Sequence, residues 1–94
     1  MLKTIKKIKK YQPVEIIWQD AHFTTGWMRE EEIDWKYQDE ALIHRTIGYF
    51  LKETRYLVGV AQSIRSNYEM VGEVMKIPKK CILEIKVIKY AKNN

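Results

Sequence analysis

Cys81 directly follows Lys79 and Lys80, and two adjacent ammonium groups favour the thiolate, the nucleophilic form of cysteine. Nucleophilic catalysis also requires a base positioned against that sulfur. Cys81 instead opens an alternating apolar run, where a cysteine serves as a small buried residue. Asp20, His22 and His44 are metal-ligating types, and Glu30, Glu31 and Glu32 could complete a set. The chain has no tight ligand spacing such as Cys-x-x-Cys or His-Glu-x-x-His. Asp20 reads better as a strand-end aspartate that bonds nearby backbone amides. Three consecutive glutamates do not converge on one substrate and form a solvated face. Gly26, Gly48, Gly59 and Gly72 are dispersed, so no phosphate-cradling glycine loop is formed. No catalytic residue, metal or cofactor is expected, and the chain is not read as an enzyme.

Binding chemistry is better supplied. Arg45, Arg55 and Arg65 grip phosphates with planar forks. Tyr49, Tyr56 and Tyr68 offer faces for stacking and for cation–π contact. These six residues are the expected ligand-binding set, suited to a nucleotide-type small ligand or to a protein surface. The plainer alternative fills the core with the tyrosines and leaves the arginines solvated. Lys3, Lys6, Lys7, Lys9 and Lys10 form a second candidate, a basic arm for nucleic acid bound by counterion release. Those five lysines account for the whole net charge of +5, and the remainder of the chain is balanced. Tyr11 is the one aromatic beside the arm, so the interleaving of rings and bases that marks nucleic-acid binders is thin.

These residues need elements to hold them. Leu2, Ile5 and Ile8 recur at a spacing of three among the lysines. That pattern fits a one-sided helix or turn, or a frayed tail, ended by Pro13. Residues 14–20 form a β-branched, aromatic run with Val14, Ile16 and Trp18 on one face. His22 to Gly26 reads as a loop, and residues 27–40 as either a helical turn or an irregular charged excursion. Residues 42–52 form a second strand, with Ile43, Ile47, Tyr49 and Leu51 assigned to one face. A short connection at 53–55 leads to a third strand at 56–64, with Tyr56, Val58, Val60, Gln62 and Ile64 on one face. Gly48, Gly59 and Ala61 are small enough for strong curvature or close backbone approach. A polar loop at 65–70 precedes a strand at 71–77, and Pro78 with two lysines turns the chain. The last strand, 81–88, places Leu83, Ile85 and Val87 against Glu84 and Lys86. Five short antiparallel strands favour closure into a small barrel, which removes vulnerable edges.

The 94 residues make one domain, with a basic arm over 1–12, a β domain over 13–90 and a tail over 91–94. Three tryptophans, six tyrosines and two phenylalanines let a short chain bury a large area. So small a core favours a homo-oligomer. No apolar run is long enough to span a bilayer. The basic start leads into no apolar signal region, and a lone cysteine suits a reducing cytoplasm.

Trp18-Gln19-Asp20-Ala21, Gly26-Trp27, Thr46-Ile47-Gly48-Tyr49-Phe50-Leu51, Val60-Ala61-Gln62-Ser63 and Ile77-Pro78-Lys79-Lys80-Cys81-Ile82 follow one another in order. Together they resemble a group of short, largely uncharacterised proteins of phages and prophages, over residues 14–88. The outline is more distantly similar to SH3-type barrels of the Sm and Hfq kind, in which an N-terminal helix precedes five bent strands. The histidine that Hfq carries after lysine before its last strand is absent, since Cys81 follows Lys80, and the Sm strand signature is absent as well. The resemblance implies an all-β, five-stranded SH3/Sm-like barrel in the cytoplasm of a bacterial host. It implies binding without catalysis: inhibition of an immune effector, or sequestration of a nucleotide signal. The alternatives are an Sm-like nucleic-acid binder and a small virion or assembly component.

Overall fold

The computed structural model describes residues 3–21, 25–33, 35 and 42–89. Five strands run in chain order: β1 (Pro13–Gln19), β2 (Ile43–Glu53), β3 (Leu57–Ile64), β4 (Val71–Pro78) and β5 (Ile82–Val87). They form one open antiparallel sheet in the order β4-β3-β2-β1-β5, which leaves β4 and β5 at its edges. Helical structure among the described residues consists of short 3-10 turns at Lys3–Lys7, Glu30–Glu32 and Lys79–Cys81, with Leu42 also in 3-10 conformation just ahead of β2. The turn at Glu30–Glu32 is what the charged excursion becomes; residues 36–40 and the 91–94 tail lie outside the described residues. No helix among the described residues is long and apolar enough to cross a membrane.

Pro13 lacks a backbone donor and stands at the start of β1, a position that proline tolerates. Its carbonyl accepts from the amide of Ile88, while the amide of Tyr11 donates to Phe50 and that of Phe50 to Gln12. β1 thus sits between two partners, with Val14 opposite both Gly48 and Val87. β2 divides its pairing along its length. Ile43 to Tyr49 face β1, and Tyr49 to Glu53 face β3, with a register shift between Phe50 and Lys52.

One face of this sheet carries the core. Val14, Ile16, Val58 and Val60 are fully buried, joined by Phe50, Ile77, Ile82 and Ile85. Ile5, from the N-terminal turn, is also buried and closes the cluster, with Ile8 and Trp18 packed beside it. Each such side chain contributes about 1.5–3 kcal/mol by leaving water. The basic arm is therefore anchored by an apolar residue in its middle.

Two expected faces are corrected. In β2 the buried positions are Gly48 and Phe50, while Ile43 and Ile47 are exposed. The core is defined by Val14 and Ile16 across the ladder, and Gly48 pairs directly with Val14, so the even-numbered residues turn inward. In β5, Ile82 and Ile85 are buried and Leu83 is 54% exposed. A register shift at Ile17/Trp18 places Glu84 opposite Ile17 and Ile82 opposite Trp18, and such a bulge rotates one residue out of the alternation. Tyr56, expected on one strand face with Val58 and Val60, instead occupies the turn before β3 and is exposed. Gly48 does mark a close approach: a Cβ there would lie 2.9 Å from the Ala61 carbonyl oxygen.

Candidate functional site

The six arginines and tyrosines do not share one cavity. Arg45 and Tyr49 lie on the outer face of β2. Arg45 faces the half-buried carboxylate of Glu15 at 3.7 Å, which Lys86 also approaches at 3.5 Å. Tyr49 lines a shallow cleft with Pro13, Ile47, Gln62 and Ile88. Arg55 and Tyr56 share the β2–β3 turn, with the guanidinium carbon 5.2 Å from the ring centroid. That turn is fixed by Thr54, whose hydroxyl accepts from the Leu57 amide, and by the Lys79 amide donating to the Tyr56 carbonyl. Lys79 also pairs with Glu53 at 2.6 Å.

Arg65 and Tyr68 lie in the β3–β4 turn, which closes through the Arg65 amide donating to Met70 and the Tyr68 amide donating to Arg65. Asn67 caps the Glu69 amide with its side-chain oxygen. The turn carries Tyr68 to Tyr11, at the end of the arm, where the two ring centroids are 5.1 Å apart and tilted by 41°. Lys10 Nζ is 5.1 Å from the Tyr11 ring centroid. Below the pair lies a cleft of about 320 Å³ lined by Lys10, Leu51, Lys52, Glu69 and Val71 as well as the rings. Here the arm and the ligand-binding set meet.

Both tyrosines are in the left-handed backbone region, Tyr11 at φ 73° and Tyr68 at φ 61°. That conformation costs a non-glycine residue roughly 1–2 kcal/mol. Sequence reasoning noted Tyr11 only as an isolated aromatic and passed over Lys52. No local signal joins them, because Tyr11 and Tyr68 are separated by three strands. Of the arm lysines, Lys6, Lys7, Lys9 and Lys10 are exposed, and the side chain of Lys3 lies outside the described residues.

The Trp18-x-Asp20-Ala21 segment is organised by β2. Trp18 stacks on His44 at 4.8 Å and donates its indole N–H to Thr46 Oγ1 at 2.9 Å. Asp20 accepts from the Ala21 amide through one carboxylate oxygen and faces His44 Nε2 at 3.5 Å through the other. Asp20 thus makes the local backbone bond expected of it. His22 lies outside the described residues, and no group of three metal-ligating side chains is present among the described residues. Cys81 is half-buried in the turn ahead of β5 rather than within the strand. Glu30, Glu31 and Glu32 are exposed, flanked by the exposed Trp27 and Trp35.

No protein-family model, curated protein sequence or solved structure matches this chain.

Proposed function

We propose that this chain is a binding protein that acts by occupying a partner and performs no catalysis, in the phage setting its sequence resembles. The partner is a host component, either a protein such as an immune effector or a nucleotide-type signal. The supporting observation is the number of large side chains displayed to solvent. Trp27 is fully exposed, Trp35 is 76% exposed, and Tyr56, Tyr68, Met70 and Met75 all project outward. Tryptophan, tyrosine and methionine are the anchors that binding surfaces favour. Native mass spectrometry of gently purified protein tests this reading. A stoichiometric retained protein or small ligand is the expected result. A bare species that also captures no component of host lysate refutes it.

A second reading, an Sm-like barrel that binds nucleic acid, is favoured by the element order. A helical turn packs Ile5 into the core ahead of β1, the strands follow the order β4-β3-β2-β1-β5, and a short turn after Ile77-Pro78 introduces β5. On this reading the register shifts in β2 and β5 bend the sheet towards a small SH3-type barrel, and the edges of β4 and β5 pair between copies in a homo-oligomer. Light scattering across a concentration series gives the subunit number. Nucleic-acid affinity that falls steeply with salt supports this reading, and a salt-independent or absent interaction removes it.

A further inference from the structure

We infer that the cleft between the arm and the β3–β4 turn binds an aromatic base carrying a phosphate, with Tyr68 as the stacking surface and Lys10 and Lys52 as the phosphate partners. The inference deepens the binding-protein reading and rests on it, by naming the ligand chemistry of one site. Three observations converge on the same place.

The first is the backbone. Tyr11 and Tyr68 both adopt the left-handed conformation, which asparagine or glycine would tolerate better. The chain nevertheless carries a large ring at each position, although an asparagine, Asn67, is the neighbour of Tyr68. Strain retained at a surface turn points to a role for the side chain. The second is exposure. Tyr11 is half-buried, so docking the arm against the turn accounts for its ring. Tyr68 remains 60% exposed while touching Tyr11, and docking does not account for that free surface. The third is charge. Lys10 and Lys52 line the cleft against one carboxylate, Glu69, and exposed Lys6, Lys7 and Lys9 continue the positive potential along the arm.

The chemistry follows from those positions. A planar base stacks on an exposed tyrosine without regard to its identity. Leu51 and Val71 supply an apolar wall for the sugar or the base edge, and Glu69 can accept from a base N–H. The ammonium groups of Lys10 and Lys52 neutralise the phosphate. A cleft of about 320 Å³ is near the lower end of ligand-pocket sizes and suits one nucleotide unit. That unit belongs either to a free nucleotide or to a single strand that continues along the arm.

Fluorescence anisotropy of a labelled short oligothymidylate at low salt, with thymidine monophosphate as unlabelled competitor, tests the site on the full chain. Binding is expected to weaken about ten-fold or more on Tyr68→Ala and to change by less than about two-fold on Tyr68→Phe. Tyr68→Gly removes the ring while suiting the left-handed backbone, so it should lose binding to the same extent with its thermal unfolding still cooperative. That result separates lost stacking from lost folding. Lys52→Ala should lower the slope of log affinity against log salt by about one. Full competition by the mononucleotide identifies a free nucleotide as the ligand, and binding of the oligonucleotide alone identifies a strand. Absence of binding to both probes overturns the inference. So does affinity that survives Tyr68→Ala but collapses when Lys6, Lys7 and Lys9 are neutralised. A stoichiometric protein partner in native mass spectrometry, alongside inert nucleotide probes, overturns this site and leaves the broader binding reading standing.

Discussion

Replacing Gly48 with alanine should destabilise the sheet at its centre, and the structure fixes the reason and the size. A Cβ at position 48 would sit 2.9 Å from the Ala61 carbonyl oxygen and 3.4 Å from Val60 Cβ. The first of these is too close for a carbon and an oxygen, and the obstacle is backbone in the neighbouring strand. Gly48 is buried, next to the Tyr49–Ala61 pair where β2 passes from β1 to β3, so neither strand can move without disturbing a ladder. Overpacking of this kind costs about 1–3 kcal/mol. The loss of unfolded-state freedom on replacing glycine returns about 0.4–1 kcal/mol. The net expectation is a loss of about 0–2.5 kcal/mol centred near 1.3 kcal/mol, which for a domain of this size lowers the melting temperature by about 5–10 °C at the centre of that range. Gly59→Ala is the control, because its Cβ would meet only the Lys52 carbonyl oxygen at 3.8 Å, an ordinary contact. It should be neutral or stabilising by up to about 1 kcal/mol. Circular dichroism melts of the two variants and the parent decide the matter. A Gly48→Ala variant melting within about 2 °C of the parent, or above Gly59→Ala, would refute the close-approach argument.

Ile5→Ala should cost about 2–3 kcal/mol, since it empties a buried core position, while Lys6→Ala beside it should stay within about 0.5 kcal/mol; urea titration distinguishes an anchored arm from a loose one. Ile85→Ala should lose about 2–4 kcal/mol and Leu83→Ser less than about 0.5 kcal/mol, and the reverse ranking in thermal melts would mean that β5 has no bulge. Glu53→Gln should cost no more than about 1 kcal/mol, because its pair with Lys79 is partly exposed, and the difference should shrink as salt is raised in the same denaturation assay.

The strands were legible because β-branched and aromatic residues are concentrated where the ladders run, and Val14, Ile16 and Trp18 take the face that their alternation assigns. Which face of β2 turns inward was not legible. Ile47, Tyr49, Phe50 and Leu51 place apolar residues on both faces, and the choice is made by Val14 and the close Gly48–Ala61 approach, contacts remote in sequence. Alternation failed in β5 for a related reason: Ile82 and Ile85 reach the core because the bulge re-phases the strand against β1. The residue types at the candidate cleft were visible, but their convergence was not. Tyr68 meets Tyr11 only because the β3–β4 turn returns to the arm, and nothing in local composition marks a tyrosine for left-handed backbone. The other expected ligand residues, Arg45, Tyr49, Arg55 and Tyr56, were chosen by type alone, and the sheet distributes them over the outer face of β2 and the β2–β3 turn.

The placement of β1 between β2 and β5 also governs how the chain can fold as it is made. Val14 meets Gly48 early, but its second partner is Val87. At a synthesis rate of about 5–20 residues per second, β1 waits several seconds after translation with one edge open and the apolar wall from Ile82 and Ile85 missing. The nascent chain thus completes the β1 ladder only when β5 arrives. Truncation before β5 would leave a ribosome-released species with a hydrophobic edge, which chaperones and proteases would meet before any ligand could.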